Sequence, residues 1–479
     1  MFGAAIERIK GGEMRIAVTG DAIISRPLSP FTDDDSLAVA QVLRDADAAI
    51  TNAEILFHDF EDSPTGVPGG TYMRARPALI RELAWMGIDA VATANNHAYD
   101  FGEGGVMTNL ANLDSYGMPH AGTGATLAEA TAPTYVDTKE GRVALISATT
   151  SAPPGSIAQD QWRDGRGRPG ANVIRYSSTY NVPREIFDAV RVFRDKLGLI
   201  GWAKLTADGT RDHTDRTMAF HDLSLGMAAQ PDTATDFYMS DLQHPWQYPS
   251  PNGCRIRLSD EYSRELTFHA VDVDRNMQRV ADARRQADYV VFSVHNQEHG
   301  RTADDASSAM VELAHAAVDA GADIVHGHGP HRDRGIELYR GRPIFYALGH
   351  LVMQNNTIDR VPLDNMIRSG VANAWEATPA DFFDSRAGAE RDGKRKGDAV
   401  NPAIWRDVIA TTVFHGSTLQ SIELHPIDLG LDLPRSQRGR PTRASGESAA
   451  AVLELFRELS DRLGTRVLVD KGVGRIEIR

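Results

Sequence analysis

The chain has 479 residues, enough for one large domain with insertions or for two domains, and 42% apolar against 24% charged residues permits a sizeable core. A net charge of −14, from 65 acidic and 51 basic residues, speaks against a general nucleic-acid binder, which needs a basic stripe, but leaves room for a local cationic pocket. One cysteine, Cys254, excludes an intramolecular disulfide and any two-thiol mechanism. There is no signal-type apolar segment near the start and no run of about 20 apolar residues, so the expectation is a soluble, cytoplasmic protein that does not engage a membrane.

Taken in chain order, RIAVTGD (15–21) reads as a strand buried on both faces and ending at Asp21. AAITNAE (48–54) is a second, ending in Asn52 and Glu54. RPALIRELAWMG has Pro77 near its start and Gly87 after its end, which is helix punctuation. DAVATANNH (89–97) is a strand that closes on Asn96 and His97, with Asp100 and a glycine-rich turn just beyond. The next stretch is rich in Pro, Gly, Asp and aromatics, WRDGRGRPG among them. It reads as an insertion carrying a lid or substrate-recognition surface, and Trp246 and Tyr248 lie within it, more simply as cover for the core. DYVVFSVH (288–295) ends at His295. ADDASSAMVELAHAAVDAG (303–321) is helical, with Met310, Leu313, Ala317 and Val318 on one stripe. DIVHGHGPH (323–331) supplies His328 and His331. An irregular, charged zone spans 355–400; a hairpin near 407–424, a helix and the strand-like TRVLV follow.

Strand–helix alternation predicts an α/β fold, with right-handed crossovers and a parallel or mixed sheet covered by helices. The domain reading is a catalytic core from 14–150 and 285–430, an insertion at 151–284, and a C-terminal helix and strand extension at 431–479.

Five strands finishing in Asp, Glu, Asn or His are hard to obtain by chance, because the carboxyl ends of parallel strands converge on one crevice. Mixed carboxylate, amide and imidazole donors suit hard or borderline divalent ions, in a pair about 3.5–4 Å apart. The expected division has Glu54 bridging, Asp21 and His331 on one ion, and Asn96, His295 and His328 on the other. His97 is then an unligated acid or base oriented by Asp100. Residue types do not choose among Mn, Mg, Ca, Zn and Fe. Nothing announces pyridoxal phosphate (PLP), and GEGG lacks nucleotide-loop spacing. His326 reads as a brace, and His350 is open between a supporting and a structural role.

The segments GDAII, ANNHAYDFGEGG and ELAHAAVDAGADIVHGHGPHRDRGIELYRGRPIFYALGH resemble the CapA-type poly-γ-glutamate capsule-synthesis family, of the calcineurin-like metallo-dependent phosphatase superfamily. The resemblance covers about 14–150 and 285–352. It implies a βαβ sandwich around a dinuclear centre, with Asp21, Glu54, Asn96, His295, His328 and His331 on ligand positions and His97 on the catalytic one. The chain departs from the family where HNQEHG (295–300) replaces the usual HWG and Gly349-His350-Leu351 the usual GNF, and in the longer insertion; the N-terminal membrane anchor usual in capsule-export members is not expected here. In these respects it looks most like the peptide epimerases of lasso-peptide biosynthesis, which invert the C-terminal residue of a ribosomal precursor peptide.

Such chemistry removes a weakly acidic Cα proton and returns it to the other face, and divalent ions stabilise the charge that develops on the terminal carboxylate. Two acid/base groups are needed: His97, and opposite it His295, Glu298 or His299. The expected partner is the precursor peptide, with no nucleic acid; a homo-oligomer is compatible with the sequence. The competing readings are a phosphoesterase and a non-catalytic partner in poly-γ-glutamate synthesis.

Overall fold

The computed structural model describes residues 12–153, 155–197, 204–205, 211–212, 233–239, 254–386, 390–391, 394–395 and 400–478; Trp246 and Tyr248 lie outside them. β1 (Glu13–Ile23), β2 (Ala48–Asn52) and β3 (Ala90–Ala92) run parallel, and β2 and β3 are buried throughout. Between them come α1 (Asp34–Arg44) and α2 (Ile80–Met86). Asp33 caps α1 by accepting from the Ser36 N–H, and α2 stops at Gly87 in the left-handed region (φ 105°). α3 (Gly102–Ser115) leads to the edge strand β4 (His120–Ala121).

A second sheet starts with β5 (Thr134–Asp137) and β6 (Arg142–Thr149). The chain then leaves it to build a separate small sheet from β7 (Tyr176–Val182), β8 (Asp236–Met239), β9 (Cys254–Leu258) and β10 (Ser263–Phe268). α4 (Arg184–Leu197) packs on this sheet through Phe187, which joins Phe237, Cys254 and Ile256 in a core of its own. α5 (Ala270–Arg284) returns the chain to β11 (Tyr289–His295), the parallel neighbour of β6. α6 (Ser308–Ala320), β12 (Ile324–His328), β13 (Ile336–Tyr339) and β14 (Arg342–Phe345) complete the second sheet in the order β13-β14-β12-β11-β6-β5.

The chain then returns to the first sheet. β15 (His350–Met353) lies parallel to the end of β1, and the hairpin of β16 (Arg406–His415) and β17 (Thr418–Asp428) is antiparallel to its start. After α7 (Gly446–Asp461), β18 (Val467–Asp470) and β19 (Val473–Ile476) extend that sheet through β17, giving the order β18-β19-β17-β16-β1-β2-β3-β4.

Layering follows from side-chain alternation. Ile16, Val18 and Ile50 from one sheet meet Leu145, Val291 and Ile324 from the other in the sandwich interior. Ala17, Ala49 and Val91 face outward onto Val39, Leu43 and Leu83 of the first helix layer. Val290, Phe292 and Val325 face Val280, Met310 and Leu313 of the second. Each fully buried Leu, Ile or Val contributes about 1.5–3 kcal/mol, so both sheets are fixed on both faces. The strand ends predicted to share one crevice therefore belong to two sheets. β1, β2 and β3 bring Asp21, Glu54 and Asn96, and β11 and β12 bring His295 and His328.

Candidate functional site

The register of β1 slips between Val18 and Asp21, and again against β15 between Asp21 and Ala22. A bulge of this kind turns a side chain, and Asp21 lies fully buried opposite His350. Gly20 makes the crossing possible, since a Cβ there would sit 2.5 Å from the Gly349 carbonyl. On the other sheet His295 and His328 are register partners at the ends of β11 and β12, with their Nδ1 atoms 3.1 Å apart. His331 follows in the left-handed region at φ 55°, a strained position that turns its ring onto Glu54.

The Asp21 Oδ1 lies 3.2 Å from His328 Nδ1 and 3.8 Å from His295 Nδ1 and accepts from Asn52 Nδ2 at 2.7 Å. Glu54 meets His331 Nε2 at 3.2 Å, His295 Nε2 at 3.7 Å and His97 Nε2 at 4.0 Å. Two groups have one ligand atom per residue within 4.8 Å of each other: Asp21, Glu54, His331 and His350, and Asp21, His295 and His328. Asp21, rather than the expected Glu54, is common to both. His350 joins as a donor that the sequence left undecided. Its signal was its place at the head of a buried strand beside Asp21.

These donors fit a divalent cation. Asn96 gives its Nδ2–H to the Gly69 carbonyl at 2.7 Å, which leaves its buried Oδ1 with no donor. His295 Nε2 is likewise buried without a hydrogen-bond partner. Burial, opposed by Glu54, holds His328 at about 3; burial and neighbouring imidazoles hold His295 and His350 well below the usual range. Neutral imidazoles present the lone pair a metal needs. Burial lifts the Asp21 carboxyl to about 6 against the His331 charge and the Asn52 hydrogen bond, and a cation would keep it ionised. His326 braces the sheets as expected: its Nε2–H donates to the Thr19 carbonyl at 2.6 Å.

His97 differs from the other rings. Burial works against its charged form, but the charge and hydrogen bond of Asp100 outweigh that and raise its pKa. Its Nδ1–H donates to Asp100 Oδ2 at 2.7 Å, so Nε2 is the nitrogen turned toward Glu54. Asp100 is itself fixed by the Gly69 and Met73 N–H groups, each at 2.7 Å. Asn95 braces the loop by accepting from the His97 N–H at 3.0 Å and donating to the Ala53 carbonyl at 2.9 Å.

Two expected acid/base candidates are not brought to the cluster. Glu298 is taken by the Tyr176 hydroxyl and by Arg264 at 3.2 Å, and so ties the small inserted sheet to the loop after β11. His299 is exposed, its Nδ1 bonded to the Gly300 carbonyl at 2.9 Å. Beside Gly349 lies a buried carboxyl pair, Asp333 and Asp407, that no motif announces. Burial raises Asp333 to about 7, and burial plus the Asp333 charge raises Asp407 well above the carboxylate range.

Among the described residues no helix is long and apolar enough to cross a membrane. Residues 15–355 match the family model described as bacterial capsule synthesis protein PGA_cap. An uncharacterized protein of Sinorhizobium fredii is 29% identical over 99% of this chain and 95% of its own length. The PGA biosynthesis protein CapA of Bacillus subtilis is 34% identical over 22% of this chain and 28% of its own. A probable polyglutamine synthesis accessory protein of Mycobacterium tuberculosis is 23% identical over 58% and 49%. With this match across most of its length and a two-sheet, metallophosphatase-like core, the chain belongs to the bacterial capsule synthesis protein PGA_cap family.

Proposed function

We propose that this member of a capsule-synthesis family is a metal-dependent peptide epimerase acting on the C-terminal residue of a ribosomal precursor peptide. One observation carries the reading: His97 Nε2 and His295 Nε2 lie 4.0 and 3.7 Å from the same oxygen of Glu54. Two imidazoles thus converge on one small volume, one favouring its charged form and the other neutral, the division of labour an acid/base pair requires. Asp21, Glu54, His331 and His350 would hold a cation, which when bound supplies positive charge to a terminal carboxylate. His295 takes the Cα proton on one face, and His97, held in one tautomer by Asp100, delivers a proton to the other.

The test is incubation of a free-carboxylate peptide in D₂O with His97→Gln and His295→Gln in parallel. A two-base enzyme exchanges one epimer only in each variant, and absence of deuterium at the terminal Cα in the wild type rejects the reading. A second reading, metal-assisted hydrolysis of a phosphoester with His97 as general acid, is favoured by the group Asp21, His295 and His328. If that group holds a second ion, the pair expected from the sequence is complete and His295 is no longer a base. Two bound ions with turnover of a chromogenic phosphate ester would establish hydrolysis instead.

A further inference from the structure

We propose that the hairpin of residues 156–171 docks an acidic stretch of the peptide substrate upstream of its terminus; this rests on the peptide reading above. The hairpin is tight. Gln159 and Arg168 exchange backbone hydrogen bonds at 3.0 Å, and Trp162 and Gly165 do so at 3.1 and 2.8 Å. Its root is part of the site wall, because Ile157 and Ala171 pack with Ala98, the residue after His97. Its shaft is tethered where the Ala128 N–H donates to Asp160 at 2.7 Å.

The tip is built differently from the surface around it. Trp162 is 73% exposed, and the Arg163 guanidinium lies 5.4 Å from its ring centroid. Arg166 is exposed, and neither Arg163 nor Arg166 forms an ion pair among the described residues. On a chain carrying −14, an acidic ligand meets general repulsion, and the tip, where Arg163, Arg166 and Arg168 outnumber Asp160 and Asp164 beside an indole, offers local complementarity. An exposed tryptophan with arginine neighbours is the composition of interface anchors. From Ile157 to Trp162 the backbone spans at most roughly 16 Å, which an extended peptide covers in about five residues. A peptide that leaves the site past the Ala98 side of the wall therefore needs at least about five further residues to reach the tip.

The test uses the full chain and fluorescence anisotropy with three labelled probes: a peptide of alternating Glu and Ser with a free carboxyl end, the same peptide with Lys for Glu, and oligothymidylate. Trp162→Ala and Arg163→Glu/Arg166→Glu should each weaken the acidic probe roughly tenfold, Trp162→Phe should restore most of it, and the charge-reversed pair should gain affinity for the Lys probe. Unchanged circular dichroism and metal content show that the variants are folded. Equal binding of the acidic probe by wild type and both variants overturns the proposal, as does wild-type preference for oligothymidylate. The assay reads binding without turnover, so a failed deuterium experiment leaves its outcome separate.

Discussion

Asp100→Asn tests the acid/base arrangement most sharply, because the substitution keeps shape and removes one acceptor. Oδ1 of Asp100 accepts from the Gly69 N–H; Oδ2 accepts from the Met73 N–H and from His97 Nδ1. An asparagine must place its NH₂ at one of these positions. At the first, the Gly69 N–H is orphaned in a buried setting. At the second, the Met73 N–H is orphaned, and His97 can keep a bond only by moving its proton to Nε2, the tautomer opposite to the one seen. Either choice costs one unsatisfied buried donor, about 1–3 kcal/mol, and weakens the remaining bonds by removing the charge. The expected loss is about 2–4 kcal/mol by urea denaturation, with a fall of about 10²–10⁴ in Cα exchange if His97 transfers the proton. The pH response should also invert. With Asp100 the raised pKa of His97 contributes stability that is full below about 6.5 and lost as pH rises through the raised value. With asparagine, burial and the His331 charge are opposed by Glu54 alone, and stability is lost as pH falls. A variant with wild-type stability, exchange rate and pH response would refute the reasoning.

Metal analysis of purified variants should show Asp21→Ala losing the bound cation, while His328→Ala, outside the group of Asp21, Glu54, His331 and His350, keeps it; unchanged content in Asp21→Ala sinks the centre. Chelation should lower the melting temperature of the wild type and leave that of Asp21→Ala unmoved, since a ligand bound only to the folded state stabilises it by mass action. Burial and the Arg74 charge lower His58 to about 4. Its neutral-form contribution, up to about 3 kcal/mol, is therefore full above pH 6.5 and lost as pH falls toward 4; urea midpoints of wild type and His58→Phe that run parallel between pH 7 and 4.5 would contradict this. In Gly20→Ala the new methyl meets the Gly349 backbone at 2.5 Å. Overpacking of about 1–3 kcal/mol should appear in denaturation, together with reduced metal content, because the shift parts β15 from β1.

Much of the site was legible because a buried parallel strand has little use for a polar end. Asp21, His295 and His328 stood out against runs such as YVVFSV, whose every residue is buried. The helix ends at Gly87 and Gly321 were readable for an equally local reason, both being left-handed caps. What sequence could not give was the partition of the strands into two sheets, since β6 and β11 pair across an entire inserted sheet and two helices, α4 and α5. Glu298 and His299 were misjudged because the direction of the chain after His295 is set by Tyr176 and Arg264, more than 30 residues away. Asp407 carried no signal, because its meaning lies in the distant Asp333 that faces it.

The cation, on these grounds, belongs to the fold as much as to the chemistry. Asn96 Oδ1, His295 Nε2 and a ring nitrogen of His350 are buried and unanswered within the protein. At about 1–3 kcal/mol for each unsatisfied group, three together cost about 3–9 kcal/mol, a large part of the 5–15 kcal/mol that holds a typical domain together. Removing the polar atoms would be cheaper than keeping them idle, so their retention at the seam of two sheets implies a ligand that answers them. The seam also explains the placement. Asp21, Glu54 and His350 are fixed by the first sheet, and His331 by the turn that follows β12 in the second. A shared ion therefore fastens the layers where the hydrophobic interior ends and the crevice opens, and the distance between His97 and His295 depends on that fastening.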